Sequence, residues 1–191
     1  MLPAGAVVAW MLVAVATLGA EMRWIDTARS MVTVHVPASG TPGGDAVGYV
    51  IEAPLAEGSV DDTDTPHLAL VIDVGELRVV GASGSAGERR RAMVHMLGPE
   101  GLDAQRFPRI TYHSLTIILI EADIWLVEGE LEIHGRFQRL DVRAMRRGDR
   151  FTGTTTVSPI DFGILPIPVA GTSVVVRPEL RIDFDIVLEA S

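Results

Sequence analysis

The sequence predicts an all-β protein, an antiparallel barrel of about eight strands with one short helix near residues 86–97, behind an N-terminal hydrophobic segment. Three observations predict it. Apolar and polar residues alternate with a period of two almost everywhere beyond residue 21. Glycines stand between alternating runs where hairpins must turn. A chain of 191 residues, 48% of them hydrophobic, suits one domain with one core.

The first element is an address rather than part of the fold. Residues 3 to 20, "PAGAVVAWMLVAVATLGA", are apolar throughout and end in small residues where a signal peptidase can cut, after Ala16 or after Ala20. Residues 1–20 therefore read as an export signal and 21–191 as the working domain, placed in the periplasm or outside the cell. No Arg precedes the apolar run, so an uncleaved anchor stays open as the alternative, since about 18 apolar residues just span a bilayer. Membrane contact would then run through this segment.

The strands follow from alternation. Runs at residues 24–36, 47–53, 67–80, 109–121, 123–134, 137–147, 150–158 and 173–189 each send apolar side chains to one face. Val32, Val34 and Val36 share a face in the first, and Leu68, Leu70, Ile72 and Val74 in the third. The last run, "PELRIDFDIVLEA", points Leu180, Ile182, Phe184, Ile186 and Leu188 one way and Arg181, Asp183 and Asp185 the other. A slip of one residue would bury those charges, so its register is strongly specified. Gly135 and the pair Gly148-Asp149 sit where hairpins favour positive φ. Strands joined this way either stack as two sheets or close on themselves, and closure removes the exposed edges. The helix is marked by Ser85 and Glu88 in capping-box spacing, by Ala92, Met93, Met96 and Leu97 as an apolar stripe, and by Gly98-Pro99 as a stop. "PASGTPGGDAVG" (37–48) and "EGSVDDTDTP" (57–66) read as irregular loops.

Composition excludes several functions. A net charge of -9 repels phosphate backbones, which argues against nucleic acid as a partner. Every basic side chain is Arg, and with no cysteine there are no disulfides and no thiolate chemistry. His35, His67, His95, His113 and His134 show no HxH or HExxH spacing. Asp61, Asp62 and Asp64 lack the glycine and distal glutamate of a calcium loop, and no G-x-S-x-G is present. The sequence thus predicts no metal site, no cofactor and no catalytic residue, which favours binding over turnover. A filled barrel acting as a structural or interaction module is the competing reading, because small barrels are often packed solid. Valine-rich walls with only five Phe, two Tyr and three Trp leave more room than that reading needs.

Four pieces in order resemble the YceI-like family of exported lipid-binding proteins: "LDAQRFPRITYHS", "GELEIHG" with "LDV" soon after, "IDFGI", and the long alternating C-terminal strand. Phe107, Pro108, Ile110, Tyr112 and Ser114 match the first motif, Gly129, Leu131, Ile133, His134 and Gly135 the second, and Asp161, Phe162, Gly163 and Ile164 the third. The resemblance implies a lipocalin-like barrel whose apolar interior holds a long isoprenoid or other long-chain lipid, such as a quinone tail. On that reading the candidate lining is Val34, Val36, Leu70, Ile72, Ile110, Tyr112, Leu131, Ile133, Phe162, Ile182, Phe184 and Ile186. His95, His134, Asp161 and Arg91 are the candidates for a headgroup at the mouth. His134 is expected to end a strand at a hairpin with its ring bonding across the mouth, and Asp161 to stabilise a turn. In "RAMVHML" Met93 and Leu97 stand where relatives carry Asp and Arg, and Pro159-Ile160 replace an Arg, so a neutral headgroup is expected over a charged one. The oligomeric state stays open, a homodimer included.

Overall fold

Alternation produces strands along most of the chain. In the computed structural model, residues 22–37, 47–61, 66–82, 86–165 and 179–190 are described. In chain order they form β1 (Met22–Trp24), β2 (Met31–Pro37), β3 (Val47–Ala53), β4 (Leu55–Asp61), β5 (His67–Asp73) and β6 (Arg78–Ala82). The helix α1 (Ala86–Leu97) follows, then β7 (Arg109–Glu121), β8 (Ile124–Ile133), β9 (Arg136–Arg147), β10 (Arg150–Val157) and β11 (Leu180–Val187). Every pairing is antiparallel, in the order β1-β4-β5-β7-β8-β9-β10-β11-β2-β3-β6.

That order conceals a ring. β2 lies along β11 with Arg181 opposite His35 and Asp185 opposite Met31, and a few residues earlier in the chain Ile25 bridges to Leu188. The Asp26 N–H donates to the Val187 carbonyl at 2.8 Å and the Glu189 N–H to the Trp24 carbonyl at 2.9 Å, so β1 continues the same edge. β1 and β2 are therefore one strand interrupted by a turn. β3 with β4, and β5 with β6, are likewise single interrupted strands, since β3 and β6 pair with each other while β4 pairs with β1 and β5. The eleven segments amount to eight strands closed into a barrel.

Each interruption has a local cause. Between β1 and β2 the chain turns at Asp26, whose carboxylate accepts from the Arg29 N–H at 3.1 Å. Ser30, 1% exposed, then repairs the ladder by accepting the Val187 N–H at 2.9 Å on its Oγ. Pro54 separates β3 from β4, having no N–H to donate. A 3-10 turn, Val74–Glu76, separates β5 from β6, with Asp73 capping it by accepting the Gly75 N–H at 2.8 Å. The turn drops Val74 and Leu77 into the core.

Two expectations need correction. The acidic stretch from residue 57 is not loop from its start, because Leu55–Asp61 forms β4 against β1 and β5. Its alternation is blurred by Gly58, where the side chain of Ile25 fills the space a Cβ would take, 2.7 Å away. The runs 24–36 and 67–80 are each broken once, at the turns just described. Residues 38–46, 62–65 and 173–178 and Ser85 lie outside the described residues, so the first loop, the end of the acidic stretch, part of the last run and the capping serine are not described.

The two barrel ends differ. Turns at residues 122–123 and 148–149 close the lower end, where β1 begins and β11 finishes. The upper end carries the long connections, including α1 and a 3-10 turn, Pro159–Phe162. α1 lies against β6 and packs Met96 and Leu97 on the core beside Ile25, Val32, Ala53, Leu55, Val74 and Leu77.

Candidate functional site

The inner wall comes directly from strand register. Opposed residues share a face, and the rows Val34–Ile182–Thr155, Val32–Phe184–Gly153 and Leu70–Tyr112–Leu131–Gln138 all turn inward. Eleven of the twelve candidate lining residues lie on strands in these inward positions. The remaining one, Phe162, comes from the 3-10 turn after β10 and is 2% exposed among Tyr112, Val127, Leu131 and Val157.

The wall has a closed part and an open part. Tyr112, Leu131, Phe162 and Ile186 are buried, whereas Val34, Val36, Leu70, Ile72, Ile110, Ile133, Ile182 and Phe184 keep part of their surface accessible. A solid core packs at crystal-like density and leaves such side chains no accessible area. Partly exposed residues on the inner side of a closed sheet are what unfilled space within it would leave. Leu68, Leu70, Ile110 and Ile182 touch both halves of the core and so sit where the halves meet.

Among the described residues few polar groups look inward; Tyr112 and Ser114 are engaged, while Trp125 Nε1 and Arg23 Nε are buried without a hydrogen-bond partner. The Tyr112 hydroxyl donates to the Leu140 carbonyl at 3.0 Å, with the Val127 carbonyl at 3.2 Å. Burial and the nearby Asp141 charge push its pKa far up, so it stays a neutral donor. Its ring occupies the space above Gly129 where any Cβ would collide with it, so β8 needs glycine there. Ser114, also buried, accepts the Leu68 N–H at 2.7 Å. The Tyr112 and Ser114 hydroxyls hold the wall together.

His134 and Asp161 mark one corner of the upper end. His134 has φ 53° and Gly135 φ 68°, which makes them the two central residues of a type I′ hairpin turn. The imidazole does not bond across the mouth as expected; it packs edge-on against Phe107, centroids 4.5 Å apart. A Cβ on Gly135 would lie 2.6 Å from the Phe107 ring, so the aromatic contact and the turn are one unit. Asp161 stands in the 3-10 turn, and its backbone carbonyl accepts from Gln138 Nε2 at 2.9 Å. Among the described residues its carboxylate has no partner. Gln138 escaped the sequence reading, although its inner-face parity with Leu140 and Val142 is the signal that could have found it.

Arg91 and His95 lie elsewhere. They share one face of α1 with Gly87, Arg90 and Val94, and among the described residues no hydrogen bond, ion pair or ring contact joins them to His134 or Asp161. His95 Nδ1 is 3.7 Å from the Glu100 carboxylate. Among the described residues, no three His, Asp or Glu side chains converge as a metal site.

The outer wall collects the charges that alternation sends away from the core. Asp183 accepts from Thr154 at 2.8 Å and from Arg181 at 2.9 Å, with His35 Nε2 at 2.8 Å. Desolvation alone would raise its pKa, but the Thr154, Arg181 and His35 bonds and the Arg181 charge outweigh it and hold the carboxyl below its usual range.

Residues 24–188 match the YceI-like domain. The chain belongs to the YceI-like family. No curated protein sequence matches it. Among solved structures, this YceI-like chain is similar to Burkholderia cenocepacia BcnA, with a TM-score of 0.65 and 19% identity, covering 87% of this chain and 99% of that one. It is also similar to a polyisoprenoid binding domain from Saccharophagus degradans implicated in plant cell wall breakdown, with a TM-score of 0.58 and 14% identity over 88% and 98% of the two chains. The Campylobacter jejuni YCEI protein follows, with a TM-score of 0.53 and 13% identity over 70% and 81%. At these identities the likeness is one of fold.

Proposed function

We propose that this YceI-like chain is an exported binding protein that holds a long apolar lipid of isoprenoid or quinone type inside its barrel, for carriage or storage, without turnover. The carrying observation is the inner wall: apolar, on the concave side of a closed sheet, and still partly accessible at Val34, Leu70, Ile72, Ile110, Ile182 and Phe184. The Saccharophagus degradans neighbour, a polyisoprenoid binding domain, supports the ligand class. The apolar segment at residues 3 to 20 supports export to the periplasm or beyond.

Such a wall needs no charged anchor. Burying ten methylene equivalents is worth about 8 kcal/mol, roughly micromolar affinity before the tail is ordered, and a prenyl tail offers more. The polar corner at His134, Gln138 and Asp161 suits a neutral headgroup, since the His134 ring and the Gln138 amide are already engaged there.

Mass spectrometry of the protein purified from cells, under non-denaturing conditions, tests this. The expected result is an added mass that organic solvent extracts and a protein that then binds apolar dyes. A bare chain mass together with no dye binding would refute the carrier.

A further inference from the structure

We propose that the outer face of α1 docks on the anionic headgroups of a lipid bilayer. Among the described residues, it is the other face of this helix that packs on the core, through Met96 and Leu97. Gly87, Arg90, Arg91, Val94 and His95 share the face of α1 turned away from Met96 and Leu97. Arg90 and Arg91 have no hydrogen-bond or ion-pair partner among the described residues, and Val94, on the same face, is 68% exposed. Two free guanidiniums beside an exposed apolar side chain match a surface that is anionic outside and apolar just beneath.

Charge distribution selects the bilayer. The chain carries -9 overall, yet Arg90 and Arg91, side by side on α1, bring two positive charges to this face. His95 faces the same way with Glu100 beside it. Screening over about 8 Å at physiological salt lets that local charge act, while acidic Asp61 leaves β4 at the opposite end of the barrel. Docking through α1 would turn the upper end, with its long connections, toward the membrane. This proposal does not depend on what the barrel holds.

Flotation of the full chain with vesicles of phosphatidylcholine, against vesicles containing about 30% phosphatidylglycerol, tests it. The readout is the excess bound to the anionic vesicles; residues 3–20 carry no charged side chain, so any binding through them counts equally toward both vesicle types. The expected result is an excess that raised salt abolishes and that R90Q/R91Q lowers about 25-fold, about fivefold for each guanidinium. R90K/R91K keeps the charge and should stay within about twofold of the parent. Equal binding to both vesicle types overturns the proposal, as does an excess unchanged in R90Q/R91Q. Self-association that R90Q/R91Q disperses, with no vesicle excess, would assign the face to a second copy and also overturn it.

Discussion

Two isoleucines on the same face of β11 separate a hollow barrel from a packed one. Ile186 is 7% exposed and sits in the core beside Leu55 and Leu188, whereas Ile182, opposite Val34 and Thr155, keeps part of its surface accessible. Truncation to alanine removes roughly three methylene equivalents at either position, about 2.4 kcal/mol if the side chain is fully buried. At Ile186 the cavity left behind adds to this, so Ile186→Ala should cost about 3 to 4 kcal/mol. At Ile182 the transfer loss is partial and no new cavity opens where space already exists, so Ile182→Ala should cost about 1 to 1.5 kcal/mol. Urea unfolding of delipidated protein measures both as midpoint shifts at constant slope. Reloading lipid should then widen the cost at Ile182, because the parent regains contacts that the variant lacks. Equal costs at the two positions in lipid-free protein would mean that the interior is solid, and the reasoning that leads from an accessible wall to a bound guest would fail.

Other substitutions probe the frame. Ser30→Ala leaves the buried Val187 N–H without its acceptor and should cost about 1 to 3 kcal/mol by the same unfolding measurement; a cost near zero would show that the ladder does not need this repair. Gly135→Val forces a β-branched residue to φ 68° and into Phe107, so the thermal midpoint should fall by roughly 5 to 10 °C in calorimetry, and an unchanged midpoint would contradict the turn assignment. Asp183→Asn tests the outer cluster by pH. A carboxyl held below its usual value of 3.8 contributes stability that is fully present above that value and is lost as pH falls through the lower folded value. The parent should therefore outlast the variant at neutral pH and converge with it below 3.8, and a gap that persists in acid would refute the linkage.

Most of the barrel was legible because alternation carries it. In β11, Ile182, Phe184 and Ile186 face one way and Arg181 and Asp183 the other, and the observed register with β2 and β10 keeps them so. β4 was hidden because Gly58 and Pro54 interrupt its pattern, and the gap that Gly58 leaves is filled by Ile25, more than thirty residues earlier in the chain. The family motifs brought His134 and Asp161 to one corner, but nothing in the one-dimensional pattern told that the His134 ring would rest on Phe107 or that Gln138 would bond the Asp161 carbonyl. Arg91 and His95, mouth candidates from the stretch "RAMVHML", ended on a face of α1 away from that corner.

By itself the sequence determined the period-two strands, their inner and outer faces, the hairpin at His134-Gly135 and the helix at residues 86–97, because each depends on neighbours a few residues apart. Only the tertiary structure decided that β1 and β2 form one strand, that Ile25 meets Leu188 to close the ring, and which inner side chains remain accessible. Those depend on groups distant in the chain competing for the same space, and spacing along a sequence does not encode how much of that space is left.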